Sequence, residues 1–258
     1  MAGTVCEFAA APFKACSARM TDFIPPSPSS RFGGPARFRG RLLLLAAVCG
    51  LAGGLAFLVD LPVARLFRGG FLPGDLRRLL DFPEVAAHGL GVACLIVGVA
   101  ALDPTLWRRA TGPWWLPSAP LVRFLGATYA GGVIVNLLKA AIIRVRPRAI
   151  DLASVDSAFN TFGEAAATAA GATGSDLMSF PSGHSAVAAG FAAALASRYP
   201  HATWFFVAVG LGAIAQRLVS SAHYPSDALC GAGLGLLGAA LCLGGGSPRQ
   251  ASSHHERA

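Results

Sequence analysis

Lys139, Arg146 and Pro147 bracket the run Lys139-Ala-Ala-Ile-Ile-Arg-Val-Arg146-Pro147. At 100° per residue their separation amounts to about 700°, so a helix through this run would put both cations on one face, two turns apart, with Pro147 ending it. Such a pair makes a clamp for an anion; a positive collar snorkelling to a membrane interface is the other reading of the same residues. A second stretch, Phe180-Pro181-Ser182-Gly183-His184-Ser185, stands where an apolar run begins. A helix N-terminus there offers free backbone N–H groups and a positive dipole end, Gly183 permits close approach, and Ser182 adds a hydroxyl, all of which suit a phosphate. The plainer reading makes Ser182 an N-cap and His184 an interfacial histidine. The third stretch runs from Arg217 to His223 and Asp227. A carboxylate four residues from an imidazole can fix its tautomer and leave the other nitrogen free as nucleophile or base. Alternatively Asp227 caps a helix and Arg217 trims the interface.

The elements that must position these residues follow from composition. Of 258 residues, 54% are hydrophobic and 13% charged, about half the charge of a soluble domain, which excludes an ordinary soluble protein and a disordered one. The net charge of +8 is compatible with nucleic acid, anionic lipid or a phosphate-bearing substrate. Six apolar runs, 42–59, 85–102, 124–143, 185–197, 202–219 and 228–244, predict an all-α bundle of six transmembrane helices. The fourth is short unless its helix begins near Ser182. Residues 1–40 have the Pro, Ser and Gly content of a disordered basic leader, with Met20 as an alternative start. The transmembrane domain is expected over 41–244 and a disordered tail over 245–258. The first run lies behind 41 residues and lacks a small-residue cleavage pattern, so it reads as an uncleaved span.

In an alternating bundle the first stretch ends span three, the second opens span four and the third joins spans five and six. All three therefore emerge on one side. With the N-terminus inside, twelve of the 21 Lys and Arg residues are cytoplasmic and nine face out, a weak bias in the usual direction. Ionisable groups at the mouth of spans are costly and mark function. Chemistry is the reason proposed for the outward cations, Lys139, Arg146 and Arg217 first among them.

Order and spacing of these stretches resemble the type-2 phosphatidic acid phosphatase superfamily of integral membrane lipid phosphatases. Its pattern is Lys, six residues, Arg-Pro; then Pro-Ser-Gly-His; then Ser-Arg, five residues, His, three residues, Asp. This chain matches with Lys139, Arg146 and Pro147, then Pro181 to His184, then Arg217, His223 and Asp227, and departs only at Gln216, where the family has Ser. The resemblance implies metal-independent hydrolysis of a phosphate monoester or pyrophosphate on a membrane lipid. His223 would be the nucleophile forming a phosphohistidine, Asp227 its orienting partner and His184 the acid for the leaving oxygen. Lys139, Arg146, Arg217, Ser182 and Gly183 would bind the phosphate; neither a metal nor another cofactor is implied. Candidate substrates are undecaprenyl pyrophosphate, phosphatidylglycerophosphate, phosphatidate and lipid A, in a bacterial inner membrane with the site facing the periplasm. A lipid phosphotransferase using the same site, and a non-catalytic phosphate-binding membrane protein, are the alternatives.

The remaining features are quieter. The connection from Arg148 to Phe180 is long enough to cover the site or select the lipid, or to be a mobile insertion. Phe71 to Phe82 reads as a short interfacial helix. Trp107, Trp114 and Trp115 read as an aromatic belt. Cys49, Cys94, Cys230 and Cys242 lie in apolar runs, Cys6 and Cys16 in the leader, and none has metal spacing, so no disulfide is expected. His88, His201, His254 and His255 have no partner in the sequence and receive no role. With its basic residues confined to loops, the chain presents no basic face for nucleic acid.

Overall fold

The computed structural model describes residues 35–107 and 119–243. The leader through residue 34, the tail from 245, Trp114, Trp115, Cys6, Cys16, His254 and His255 lie outside the described residues. Within them the elements are α-helices and 3-10 turns, with two isolated β-bridges, both at Arg144.

Each of the six apolar runs carries a helix. These are α1 (Pro35–Ala56), α4 (Gly89–Leu102), α5 (Ala119–Lys139), α7 (Gly183–Arg198), α8 (Thr203–Val219) and α9 (Pro225–Leu243). Between them stand the shorter α2 (Asp60–Arg68), α3 (Gly74–Asp81) and α6 (Gly163–Ala170). The start of α1 corrects one boundary: residues 35–40, assigned above to a disordered leader, are helical. Proline is favoured at a first helical position, where its missing N–H has no partner to lose, and the apolar stretch behind it carries the helix on.

Among the described residues four helices are long and apolar enough to cross a membrane: α1, α5, α8 with its preceding turn, and α9. A fifth would be α4 joined to the segment 74–86, across a bend of 67°. At 16 residues α7 reaches about 24 Å, short of the roughly 30 Å hydrocarbon core. It begins at Gly183, just after Ser182, and its Ala-rich surface is enclosed by α5, α8 and α9. Large apolar side chains stand bare on the outer helices, Leu51 at 73%, Leu55 at 69%, Leu137 at 70% and Trp204 at 74% exposure. Apolar cover on that scale would associate in water but matches hydrocarbon; this is a membrane protein.

The hub of the bundle is α9, which packs on α1, α5 and α7. Lipid supplies no hydrophobic drive between helices, so close backbone packing takes its place. A Cβ on Gly231 would fall 2.2 Å from the carbonyl oxygen of Ser182, and one on Gly235 would fall 2.1 Å from that of Ala186. Only glycine lets α9 sit this close to the start of α7.

The connection after Arg148 is not a loose insertion. Its turns and α6 bury Ile150, Leu152, Val155, Ala166 and Ala167 against Leu61 and Ala64 of α2 and against Tyr224. Arg65 donates to the carbonyl oxygens of Leu152 (2.9 Å from Nη2) and Val155 (2.7 Å), and Arg68 donates to those of Pro147 (3.0 Å) and Ile150. Two of the cations expected on the outer side are thus structural staples. Within the 71–82 segment a short helix does form, α3, with no buried residue.

Candidate active site

The Lys139–Arg146 run does not continue as a helix. Helix α5 stops at Lys139, Ala140 and Ala141 turn, and Ile142 to Arg146 run extended. Two causes act together: Ile142, Ile143 and Val145 are β-branched and stiff in a helix, and a residue before proline, here Arg146, is pushed out of the α region. The extended segment is held on both sides, Arg144 N–H donating to Leu177 O (2.9 Å), Val145 N–H to Thr161 O (2.9 Å) and Arg146 N–H to Asp176 O (2.9 Å). Shared helical facing of the two cations is therefore corrected. A chain reversal, not a helix face, brings them to one place.

Lys139 donates from Nζ to Met178 O at 2.7 Å. Arg146 is half-buried, and its Nε is buried with no hydrogen-bond partner. Burial, then Arg148 and Arg217, push the Arg146 guanidinium below its ordinary pKa. A crowded, partly desolvated cation with an unpartnered N–H is stabilised by an anion placed against it.

Ser182 is the N-cap of α7. Its Oγ accepts from Ser185 N–H at 3.3 Å, and its own N–H donates to Asp227 O at 2.9 Å. The capping reading of Ser182 is thus what the structure shows, and it orients the first turn that carries Gly183 and half-buried His184. Around His184 stand Arg217, His223, His88 and Arg146 as charged or titratable neighbours. His88, which the sequence left without a partner, has its ring 5.8 Å from that of His184.

Arg217 forms an ion pair with Glu84, and Gln216 accepts from Arg217 Nε at 2.7 Å. Gln216 in turn donates to Asp81 (3.1 Å) and Glu84 (3.0 Å). The position where the family has Ser therefore ties Arg217 to Asp81, the last residue of α3, and to Glu84 in the turn that follows. Nothing in the spacing of Asp81 or Glu84 pointed to this.

His223 is 2% exposed and Asp227 fully buried. Nδ1 of His223 lies 2.8 Å from Ser179 O and 3.6 Å from Asp227 Oδ2. The carboxylate is beyond hydrogen-bond range, so the expected direct His223–Asp227 bond is corrected: the backbone of Ser179 holds the ring, while Asp227 accepts from Ser179 Oγ (2.6 Å) and from Tyr224 N–H (2.9 Å). Burial lowers the His223 pKa, against the charge of Asp227 and with Arg146 and Lys139. Asp227 also pairs with Arg144, which is fully buried and bonded to Asp60 at 2.6 Å. Arg144, Asp60 and Ser179 were not singled out from the sequence. An arginine and an aspartate at the ends of apolar runs were the available signal, since such charges need partners.

Ends of four helices thus converge: the C-terminus of α5, the N-terminus of α7, the last turn of α8 and the first turn of α9. Among the described residues no group of three His, Cys, Asp or Glu could hold a metal ion. The class so defined is a helical membrane bundle with a cluster of cations and two histidines at one end. The sequence profile of the PAP2 superfamily matches residues 120–249, half of the chain and all three stretches, and the chain belongs to that superfamily. Two curated relatives, lipid A 1-phosphatases of Rhizobium etli and Rhizobium johnstonii, are each 36% identical over 104 residues, 40% of this chain. The match spans 40% and 38% of their respective lengths. No solved structure matches the chain.

Proposed function

We propose that this protein is a lipid phosphatase hydrolysing a phosphate monoester or pyrophosphate through a phosphohistidine. The observation that carries the reading is the convergence of Lys139, Arg146 and Arg217 on His184 and His223, with Arg146 Nε buried and unpartnered. In phosphoryl transfer the protein's task is positioning and charge stabilisation. Here three cations meet the phosphate oxygens, joined by the free N–H groups of the α7 first turn around Gly183 and by the Ser182 hydroxyl.

With its Nδ1–H given to Ser179 O, the His223 ring presents Nε2 as the attacking nitrogen. Its lone pair forms the N–P bond while the P–O bond to the lipid breaks, and the leaving oxygen takes a proton from His184. Water, losing a proton back to His184, then attacks phosphorus and expels the His223 nitrogen as inorganic phosphate leaves. Among the candidate lipids, the likeness to the two Rhizobium lipid A 1-phosphatases favours the 1-phosphate of lipid A. Six spans then lie within 35–243, with α7 and the bent α4 unit completing the count, and the site faces the periplasm from a bacterial inner membrane.

Detergent-solubilised protein is assayed for phosphate release from lipid A, phosphatidate, phosphatidylglycerophosphate and undecaprenyl pyrophosphate, with a chelator present. Release from lipid A in chelator is the expected result. Release only when an acceptor lipid is added makes the protein a phosphotransferase. Phosphate binding without turnover on any member of the panel overturns the enzymatic reading.

A further inference from the structure

Behind His223 lies a set of fully buried charges that the phosphate-binding residues do not use. Arg144 is 0% exposed, and so are Asp60 and Asp227, its partners on either side. The Arg144 guanidinium is ringed by the faces of Tyr224 (4.1 Å), Phe162 (4.5 Å) and Phe57 (5.2 Å). Asp60, the first residue of α2, accepts from Ser226 N–H at 2.9 Å and from Ser226 Oγ at 2.5 Å. Ser226 Oγ is also 2.8 Å from Arg144 Nη1. Asp60 thereby grips the first turn of α9 one residue before Asp227.

Burying a single Arg–Asp pair would satisfy local charge balance. This site buries a second carboxylate on the same guanidinium, so the ion-paired set carries one negative charge in excess, some of it 3.6 Å from the His223 ring. Bond formation at Nε2 with the proton retained on Nδ1 leaves the imidazole cationic. An excess negative charge in a low-dielectric interior stabilises that cation.

We propose that Asp60, acting through Arg144 and Ser226, is a positioning residue for the phosphohistidine step: it fixes Asp227 and leaves it uncompensated charge to offer His223. This rests on the reading of His223 as nucleophile. The other charged or titratable groups facing His223 are Lys139 and Arg146 from the α5 end, His184 on α7, Arg217 on α8 and Asp227 on α9. All of them are retained when Asp60 alone is changed.

The test compares Asp60→Asn, Asp60→Glu and His223→Ala in detergent-solubilised full-length protein, reading kcat, KM and the pH profile of phosphate release from lipid A. Asp60→Asn leaves a balanced Arg144–Asp227 pair, so kcat should fall ten- to a hundredfold with KM within about threefold of wild type. Its acid limb should move to lower pH, because His223 loses negative charge that favours its protonated form. Asp60→Glu restores the charge and should return the acid limb to the wild-type position. An unchanged kcat, or an unchanged acid limb in Asp60→Asn, overturns the proposal. Should Asp60→Asn not accumulate, Ser226→Ala is read instead: it cuts the hydroxyl link and keeps every charge, and a wild-type kcat there overturns the proposal too. Full activity in His223→Ala would defeat the nucleophile assignment itself, whatever Asp60→Asn does.

Discussion

The imidazole of His223 is held by the backbone of Ser179, whose carbonyl oxygen stands 2.8 Å from Nδ1, while the side chain of the same serine is tied to Asp227 at 2.6 Å. Ser179 therefore transmits the position of the carboxylate to the ring without a direct bond between them. Removing Asp227 leaves the carbonyl in place, and the tautomer survives. His223→Ala should abolish phosphate release, by about 10⁴-fold or more, whereas Asp227→Asn should cost about 10- to 100-fold and Ser179→Ala less again. Steady-state rates in detergent rank the three; an Asp227→Asn loss equal to that of His223→Ala would restore the direct-bond picture.

A second expectation concerns acid pH. Burial is the first cause lowering the His223 pKa from 6.5, with Arg146 and Lys139 adding to it against Asp227. The attacking form is neutral. A lowered pKa keeps the ring neutral further into acid, so the acid limb of kcat/KM should fall below pH 6.5. A limb above that value, measured in a series of constant-ionic-strength buffers, would show that charge from Asp227 outweighs burial.

Much of this architecture was legible beforehand because hydrophobic length is a strong signal: each apolar run became a helix, and the motif residues all sit at one end of the bundle. What the sequence could not show was set by contacts distant in the chain. Lys139 to Arg146 has helical spacing, yet β-branched residues and Pro147 turn it extended, and its Arg144 meets Asp60 84 positions away. Asp60 itself looked like the polar end of a span. Gln216 looked like a loss of the family's Ser, until Asp81 and Glu84 came against it from a segment more than 130 positions earlier.

The proton donor can be separated from the nucleophile by the leaving group. His184 is assigned the proton that the departing lipid oxygen needs, and that need vanishes when the leaving group is already a weak base. His184→Ala should therefore lose about 10²- to 10⁴-fold on lipid A but far less on p-nitrophenyl phosphate. His223→Ala should lose both. Equal losses on the two substrates in His184→Ala would remove it from the acid role.

Glu84 is paired with Arg217, and a phosphate reaching that guanidinium must share or displace the carboxylate. With Glu84 35% exposed, the pair falls in the range of about 1 kcal/mol for partly solvated ion pairs. Glu84→Gln should then lower KM roughly fivefold, with kcat changed less, since Gln216 still holds Arg217 Nε at 2.7 Å. A raised KM would mean that Glu84 orients Arg217 for the phosphate and does not compete with it.

The seat of the second stretch depends on a residue outside it. A Cβ at Gly231 would sit 2.2 Å from Ser182 O and 3.1 Å from Ser182 N, so Gly231→Ala must push α9 away from the N-cap of α7. Overpacking of this kind costs about 1–3 kcal/mol, and here the displacement falls on the bond between Ser182 N–H and Asp227 O at 2.9 Å. That bond links the phosphate cradle to the helix bearing Asp227. Activity should accordingly drop at least tenfold along with a lowered thermal midpoint. Gly54→Ala, where nothing lies within 4 Å of the new methyl, is the control and should change neither. A Gly231→Ala protein of wild-type activity would show that the two helices can part without disturbing the cradle.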